Sequence, residues 1–147
     1  MGGADNTVRI LSLDPDDCLQ ALSTQALPAL PTSLCMVEMT DQEDSATLFL
    51  YIGLQNGVLL RTVVDPVNGV LADTRTRFMG TRSVSLFPMR AQGLPAVVAL
   101  SSRPWLSYNY QARMHLTPLS YVSPSWHEAW TGLNSLPGGL VGFRAVV

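Results

Sequence analysis

The chain has 147 residues, of which 47% are apolar and 14% charged, with a net charge of −2; this is enough material for a buried core and too apolar for a disordered segment. Every basic residue is an arginine, and so weak a net field argues against a duplex-binding module, which would be markedly more basic. No stretch approaches the roughly 18 consecutive apolar residues of a membrane span and no basic start precedes a long apolar run, so a soluble intracellular chain without membrane association is expected.

Taken in chain order, residues 7–13 alternate in hydropathy as a strand does and run into the turn-forming string Asp14-Pro15-Asp16-Asp17, and residues 22–27 read as a second strand. Cys18 and Cys35 form neither a Cys-x-x-Cys pair nor a set with a histidine at zinc-ligand spacing, and both are read as buried thiols. Residues 33–39 and 48–54 are strands separated by the acidic string Asp41-Gln42-Glu43-Asp44-Ser45, a solvated loop. Gln55-Asn56-Gly57 then divides the β-rich run 48–54 from 58–64. Asn-Gly between two such runs marks a hairpin, because both residues tolerate positive φ.

Asp65-Pro66-Val67-Asn68-Gly69 reads as a turn, since proline fixes φ and lacks a ladder donor while Asn-Gly supplies left-handed positions. Residues 75–80 complete a four-stranded unit. The following strands are placed at 84–89, 96–101, 105–110 and 114–119, with Gln92-Gly93-Leu94-Pro95 as a turn and Pro118 near a strand end.

The chain repeats itself. Ser33 to Met39 aligns with Ser83 to Met89, and Asp5-Asn6-Thr7-Val8 with Gln55-Asn56-Gly57-Val58, both at an offset of 50 residues. One residue of slack also sets Asp14-Pro15 on Asp65-Pro66, and a fainter copy sets residues 48–57 on 96–105, at an offset of 48. A period of about fifty suits a four-stranded propeller blade and exceeds most helical repeats. The fold class is therefore all-β: a partial β-propeller of the WD40-like kind, about two and a half antiparallel blades with the ring incomplete. Residues 1–31 are read as a partial blade, 32–81 and 82–122 as full blades, and 123–147 as an irregular tail. Fewer than three blades leave apolar faces uncovered.

Chemistry is sparse. His115 and His127 lie among many serines without a Gly-x-Ser-x-Gly elbow, so His115 is read as a packed structural histidine and no enzyme is expected. The pairs Asp16-Asp17 and Glu43-Asp44 fall in solvated turns, where no raised pKa is expected. Gly138-Gly139 has no lysine and no helix pattern after it, which excludes a phosphate loop; neither a cofactor nor a metal is expected. Arg75, Arg77 and Arg82, with Phe78 between them, form the single cluster suited to contact with RNA or a partner. Arg75 and Arg77 share one face of a period-two strand and Thr76 and Phe78 the other, so solvated arginines on an edge strand are the plainer reading. Trp105, Tyr108 and Tyr110 are expected to pack between blades.

The strings Leu54-Gln55-Asn56-Gly57-Val58-Leu59-Leu60-Arg61-Thr62-Val63 and Asp73-Thr74-Arg75-Thr76-Arg77 resemble the splicing factor 3b propeller-subunit family. Further matching strings are Asp5-Asn6-Thr7-Val8-Arg9-Ile10, Trp105-Leu106-Ser107-Tyr108 and His115-Leu116-Thr117-Pro118-Leu119. The resemblance covers about residues 4–122 and extends to the large subunits of the damaged-DNA-binding and cleavage/polyadenylation factors. It implies a nuclear, non-catalytic scaffold in the U2 snRNP acting in pre-mRNA splicing. Its implied partners are a HEAT-repeat large subunit and a small zinc-containing subunit, with indirect association to U2 snRNA and pre-mRNA. The alternative it leaves open is a nucleic-acid-binding propeller module, as the damaged-DNA-binding relatives suggest.

Overall fold

The computed structural model describes residues 2–3, 5–16, 18–40, 45–111 and 113–119, and all the regular structure among them is strand. In chain order the strands are β1 (Gly2–Gly3), β2 (Thr7–Leu11), β3 (Ala21–Ala26), β4 (Pro31–Thr40), β5 (Ala46–Leu54), β6 (Val58–Val64), β7 (Leu71–Phe78), β8 (Ser85–Ala91), β9 (Leu94–Leu100), β10 (Pro104–Tyr110) and β11 (Arg113–Pro118). They form three antiparallel meanders: an N-terminal sheet of β1-β2-β3, a middle sheet of β4-β5-β6-β7 and a C-terminal sheet of β8-β9-β10-β11. Stacked meanders of sequential strands are the architecture of a partial β-propeller.

Turn chemistry sets the strand ends. Gly57 takes φ +82° between β5 and β6, and the Asn56 side chain accepts the Val58 amide at 3.3 Å. In the 65–69 turn, Asp65 and Asn68 side chains accept the amides of Val67 and Val70, each at 2.9 Å. Val64 therefore pairs with Leu71 directly after the turn, and β7 covers Leu71–Phe78 rather than 75–80. A bulge between Arg61 and Val63 absorbs the register shift. The turn expected over 92–95 contracts to Gln92-Gly93, with φ of 52° and 79°. Leu94 and Pro95 already pair in β9, with Ala91 and Arg90. Two central residues at positive φ make the tighter hairpin whose twist matches the flanking strands.

The repeat is present in three dimensions with its register corrected. Met39 pairs with Thr47, and Met89 with Ala96, so Thr47 rather than Leu48 corresponds to Ala96. Likewise Asn6 and Gly57 both have positive φ. Their carbonyls accept equivalent amides, from Leu27 at 2.8 Å and from Met79 at 2.9 Å, so Gly57 rather than Asn56 corresponds to Asn6. Each slip is one residue, and one residue exchanges the faces of a strand: Leu50 packs towards the N-terminal sheet, whereas Val98 lies on the far side of the C-terminal sheet.

Burial follows the stacking. Val8, Leu27, Leu50, Ile52, Leu54, Leu60 and Val64 fill the space between the N-terminal and middle sheets. Cys35, Met39, Tyr51, Leu59, Val84 and Val97 belong to the cluster between the middle and C-terminal sheets. A third cluster of Met89, Ala96, Val98 and Leu106 occupies the other face of the C-terminal sheet. Each fully buried aliphatic chain contributes about 1.5–3 kcal/mol relative to exposure.

The middle and C-terminal sheets approach most closely along β4, β8 and β9, and the connector between β7 and β8 is fastened to both. The Val84 amide donates to Leu54 O at 3.1 Å, and Val84 O accepts from the Thr32 and Ser33 hydroxyls at 3.0 and 2.6 Å. From the other sheet, Trp105 Nε1 donates to Met79 O at 3.0 Å and Ser101 Oγ to Arg82 O at 2.6 Å. Gly53 lies under this junction, where a Cβ would collide with Ser33 Oγ and the Val84 carbonyl.

Of the two cysteines, Cys35 is buried as expected, whereas Cys18 is exposed. Tyr110 is likewise 54% exposed and is not packed between sheets as expected. Residues 41–44 and 120–147 fall outside the described residues, and with them His127, Gly138-Gly139 and the Glu43-Asp44 pair; Asp17 does too.

Gly53→Ala is expected to cost roughly 1–3 kcal/mol by overpacking against backbone that cannot give way. Gly93→Ala has open space around it and should cost only about 1 kcal/mol, from its positive φ. Denaturant midpoints compare them, and equal losses would remove the special status of the Gly53 junction. Burial pushes the Cys35 thiol up to about 11, from an ordinary value of 9.0. A thiol reagent at neutral pH should therefore label Cys18 rapidly and Cys35 only after unfolding. The stabilisation from keeping Cys35 neutral is complete below about pH 9 and is lost as pH rises towards 11. A Cys35→Ala protein should lack that alkaline decline, and its persistence would place the cause elsewhere.

Candidate functional site

The two sheets converge at β4, β8 and β9 and splay towards β7 and β11, and the wedge between them opens as a groove of about 440 Å³. Strand alternation decides which side chains enter it. From β6, Leu59 and Arg61 point to the groove while Leu60 and Val64 point to the N-terminal sheet. Arg75 lies opposite Arg61, and Arg77 opposite Leu59, so both reach the same side. Trp105 and Ser107 of β10, with Met114 and Leu116 of β11, form the facing wall.

The floor is Tyr51, 1% exposed, whose hydroxyl shares a 3.0 Å hydrogen bond with Ser107 Oγ across the interface. Burial raises the Tyr51 pKa above its ordinary value, partly offset by the bond to Ser107 and by Arg61, so the phenol stays neutral. Arg61 is seated with its guanidinium carbon 5.2 Å from the Phe49 ring centroid, a cation–π contact. Arg75 Nε approaches Asp73 Oδ1 at 3.2 Å, both side chains being more than half exposed, and such a pair contributes little. Arg77 has no acidic partner among the described residues.

None of the described residues lining the groove is acidic. Its chemical capacity is therefore to attract and orient an anion beside an apolar wall. His115 borders it, but the imidazole is stacked on Tyr108, with centroids 5.1 Å apart and planes at 15°. The Ser107 hydroxyl is engaged by Tyr51, and among the described residues no carboxylate lines the groove to orient the histidine. That arrangement offers packing, with neither an activated nucleophile nor a base. Among the described residues no group of three or more His, Cys, Asp or Glu could hold a metal ion, and no helix is long and apolar enough to cross a membrane.

Of the arginines singled out in the sequence, Arg75 and Arg77 come together in the groove. Arg82 does not line it: β7 ends at Phe78, and Arg82 sits in the connector to β8, where its carbonyl accepts from Ser101. Arg61 takes its place. Its inclusion depends on the turn length and the bulge that set it opposite Arg75, and neither is visible in residue spacing. Phe78, 67% exposed at the end of β7, also borders the groove, although alternation put it on the opposite face from Arg75.

Comparison with known proteins agrees with this architecture. A family model described as the RSE1/DDB1/CPSF1 second beta-propeller matches residues 1–145, which carries the likeness well past residue 122. Splicing factor 3B subunit 3 of Danio rerio is 57% identical over 96% of the chain, and that of Drosophila melanogaster 55% identical over 82%. The pre-mRNA-splicing factor RSE1 of Mycosarcoma maydis is 49% identical over 97% of the chain. The chain spans only 11–12% of the length of these relatives. With sequential antiparallel sheets stacked as blades and a family match across nearly its whole length, the chain belongs to the family of the second β-propeller of RSE1, DDB1 and CPSF1.

Proposed function

We propose that this chain is propeller scaffold from a splicing factor 3b subunit, acting in pre-mRNA splicing in the nucleus through protein surfaces and without catalysis. The observation that carries the reading is 57% identity over 96% of the chain to a protein named splicing factor 3B subunit 3. Within it, residues 1–31 supply part of one blade and 32–81 and 82–122 supply two more, with 123–147 following them. The described residues support a binding role in a physical sense as well: two rigidly fastened sheets carry a groove able to hold a ligand but not to activate one. The partners fitting the reading are a HEAT-repeat large subunit and a small zinc-containing subunit, with U2 snRNA and pre-mRNA reached indirectly.

The test is affinity purification from nuclear extract of an epitope-tagged full-length protein that contains this chain. U2 snRNA and the other splicing factor 3b subunits are expected in the eluate, at a yield comparable to a tagged HEAT-repeat subunit. Recovery without either would overturn the reading.

A further inference from the structure

The groove between the middle and C-terminal sheets carries three guanidinium groups that their surroundings do not neutralise. Arg61 and Arg75 are directly opposed across β6 and β7, and like charges in that position are destabilising. Arg77 adds a third charge two residues along the same face. Among the described residues the one acidic contact of the three is the exposed Asp73, bonded to Arg75 Nε, and the outer nitrogens of that guanidinium can meet a second anion. The whole chain carries a net charge of −2, so these three charges do not belong to a generally basic sequence.

Two further observations restrict what would fill it. Apart from Ser107, whose hydroxyl is engaged by Tyr51, the facing wall is apolar, made by Trp105, Met114 and Leu116, and Trp105 is held in place by its bond to Met79 O. Along the rim, β7 is an edge strand of its sheet and among the described residues pairs with β6 alone, and an edge strand presents a row of backbone groups suited to an added strand.

We propose that the groove binds an extended acidic peptide segment of a protein partner, laid along β7, with carboxylates at alternate positions meeting Arg75 and Arg77 and an apolar side chain against Trp105 and Met114. Alternate side chains of an added strand share one face, so carboxylates two residues apart have the spacing of Arg75 and Arg77. Arginine forks suit carboxylates in bidentate geometry. A single-stranded RNA fits less well, because it needs a continuous basic track with exposed ring faces. Arg82, Arg90 and Arg103 lie outside the groove, and the Trp105 ring is fixed in the wall. The proposal rests on the reading of the chain as protein-binding scaffold and names the chemistry of one partner site.

Fluorescence anisotropy of the full chain tests it, using a labelled octapeptide with Glu, Glu and Leu at successive alternate positions and Ser between them, so that all three share one face, and a labelled oligouridylate of equal charge. The wild-type chain and Arg82→Glu, a charge reversal outside the groove, are expected to bind the peptide alike. Arg75→Glu/Arg77→Glu should weaken it by about tenfold or more, as should Arg77→Ala to a smaller degree, with circular dichroism confirming retained strand content. Absent peptide binding by the wild-type chain, equal losses in Arg82→Glu, or tighter binding of the oligouridylate would each overturn the proposal. Where peptide binding fails but the full-length protein still co-purifies with U2 snRNA, the groove assignment falls and complex membership stands. Peptide binding without co-purification keeps the groove assignment and removes complex membership.

Discussion

The structure depends on one close approach, the seating of the Val84 backbone against β4 and β5. Two sheets can lie this near only where a side chain is missing, and Gly53 provides the gap. The polar groups brought into it are all satisfied: the Val84 amide by Leu54 O, its carbonyl by the hydroxyls of Thr32 and Ser33. Buried backbone left without partners would cost about 1–3 kcal/mol for each group, so the hydroxyls at 32 and 33 are as much a part of the junction as the glycine. Closeness here forces divergence elsewhere. Twisted sheets pinned along β4 and β8 must spread towards β7 and β11, and the groove is that spread.

The groove sits where the fold is least able to protect itself. At the pinned side the interface is filled by Met39, Tyr51, Val84 and Val97, all nearly inaccessible. At the spread side the same interface is lined by arginines and by half-buried Trp105, Met114 and Leu116. Stacking Arg61 on Phe49 lets the charge stay near solvent while its stem covers apolar surface. Opposing Arg61 with Arg75 gives up some sheet stability, and nothing in the pairing of β6 with β7 requires a charge at either position.

Much of the fold was legible in the residues, because turn chemistry and strand alternation are local. Asn56-Gly57 and Asp65 to Gly69 mark their turns through side chains that hydrogen-bond their own backbone and through positive φ, and both were found where expected. The repeat was visible as well, but its register was not: matching letters favoured Leu48 on Ala96, whereas pairing puts Thr47 there. Similar apolar residues on adjacent positions make a one-residue slip cheap in a string comparison and decisive in a sheet. The site was half legible for the same reason. Arg75 and Arg77 are neighbours in sequence and announce themselves, while Arg61 joins them only through cross-strand pairing and a bulge, and Arg82 leaves because the strand stops at Phe78.

The rigidity of the groove bears on how it would work. Tyr51 and Ser107 come from different sheets, and the bond between their hydroxyls fixes the spacing of the two walls at the floor. Trp105 is tied to the connector by its indole nitrogen, and Arg61 is held by an aromatic ring. A ligand would thus meet walls already in position and order mainly the exposed side chains of Arg75 and Arg77. Binding to such a preorganised site loses less conformational entropy than closing a loop around the same ligand, which lets a short segment bind usefully through few contacts.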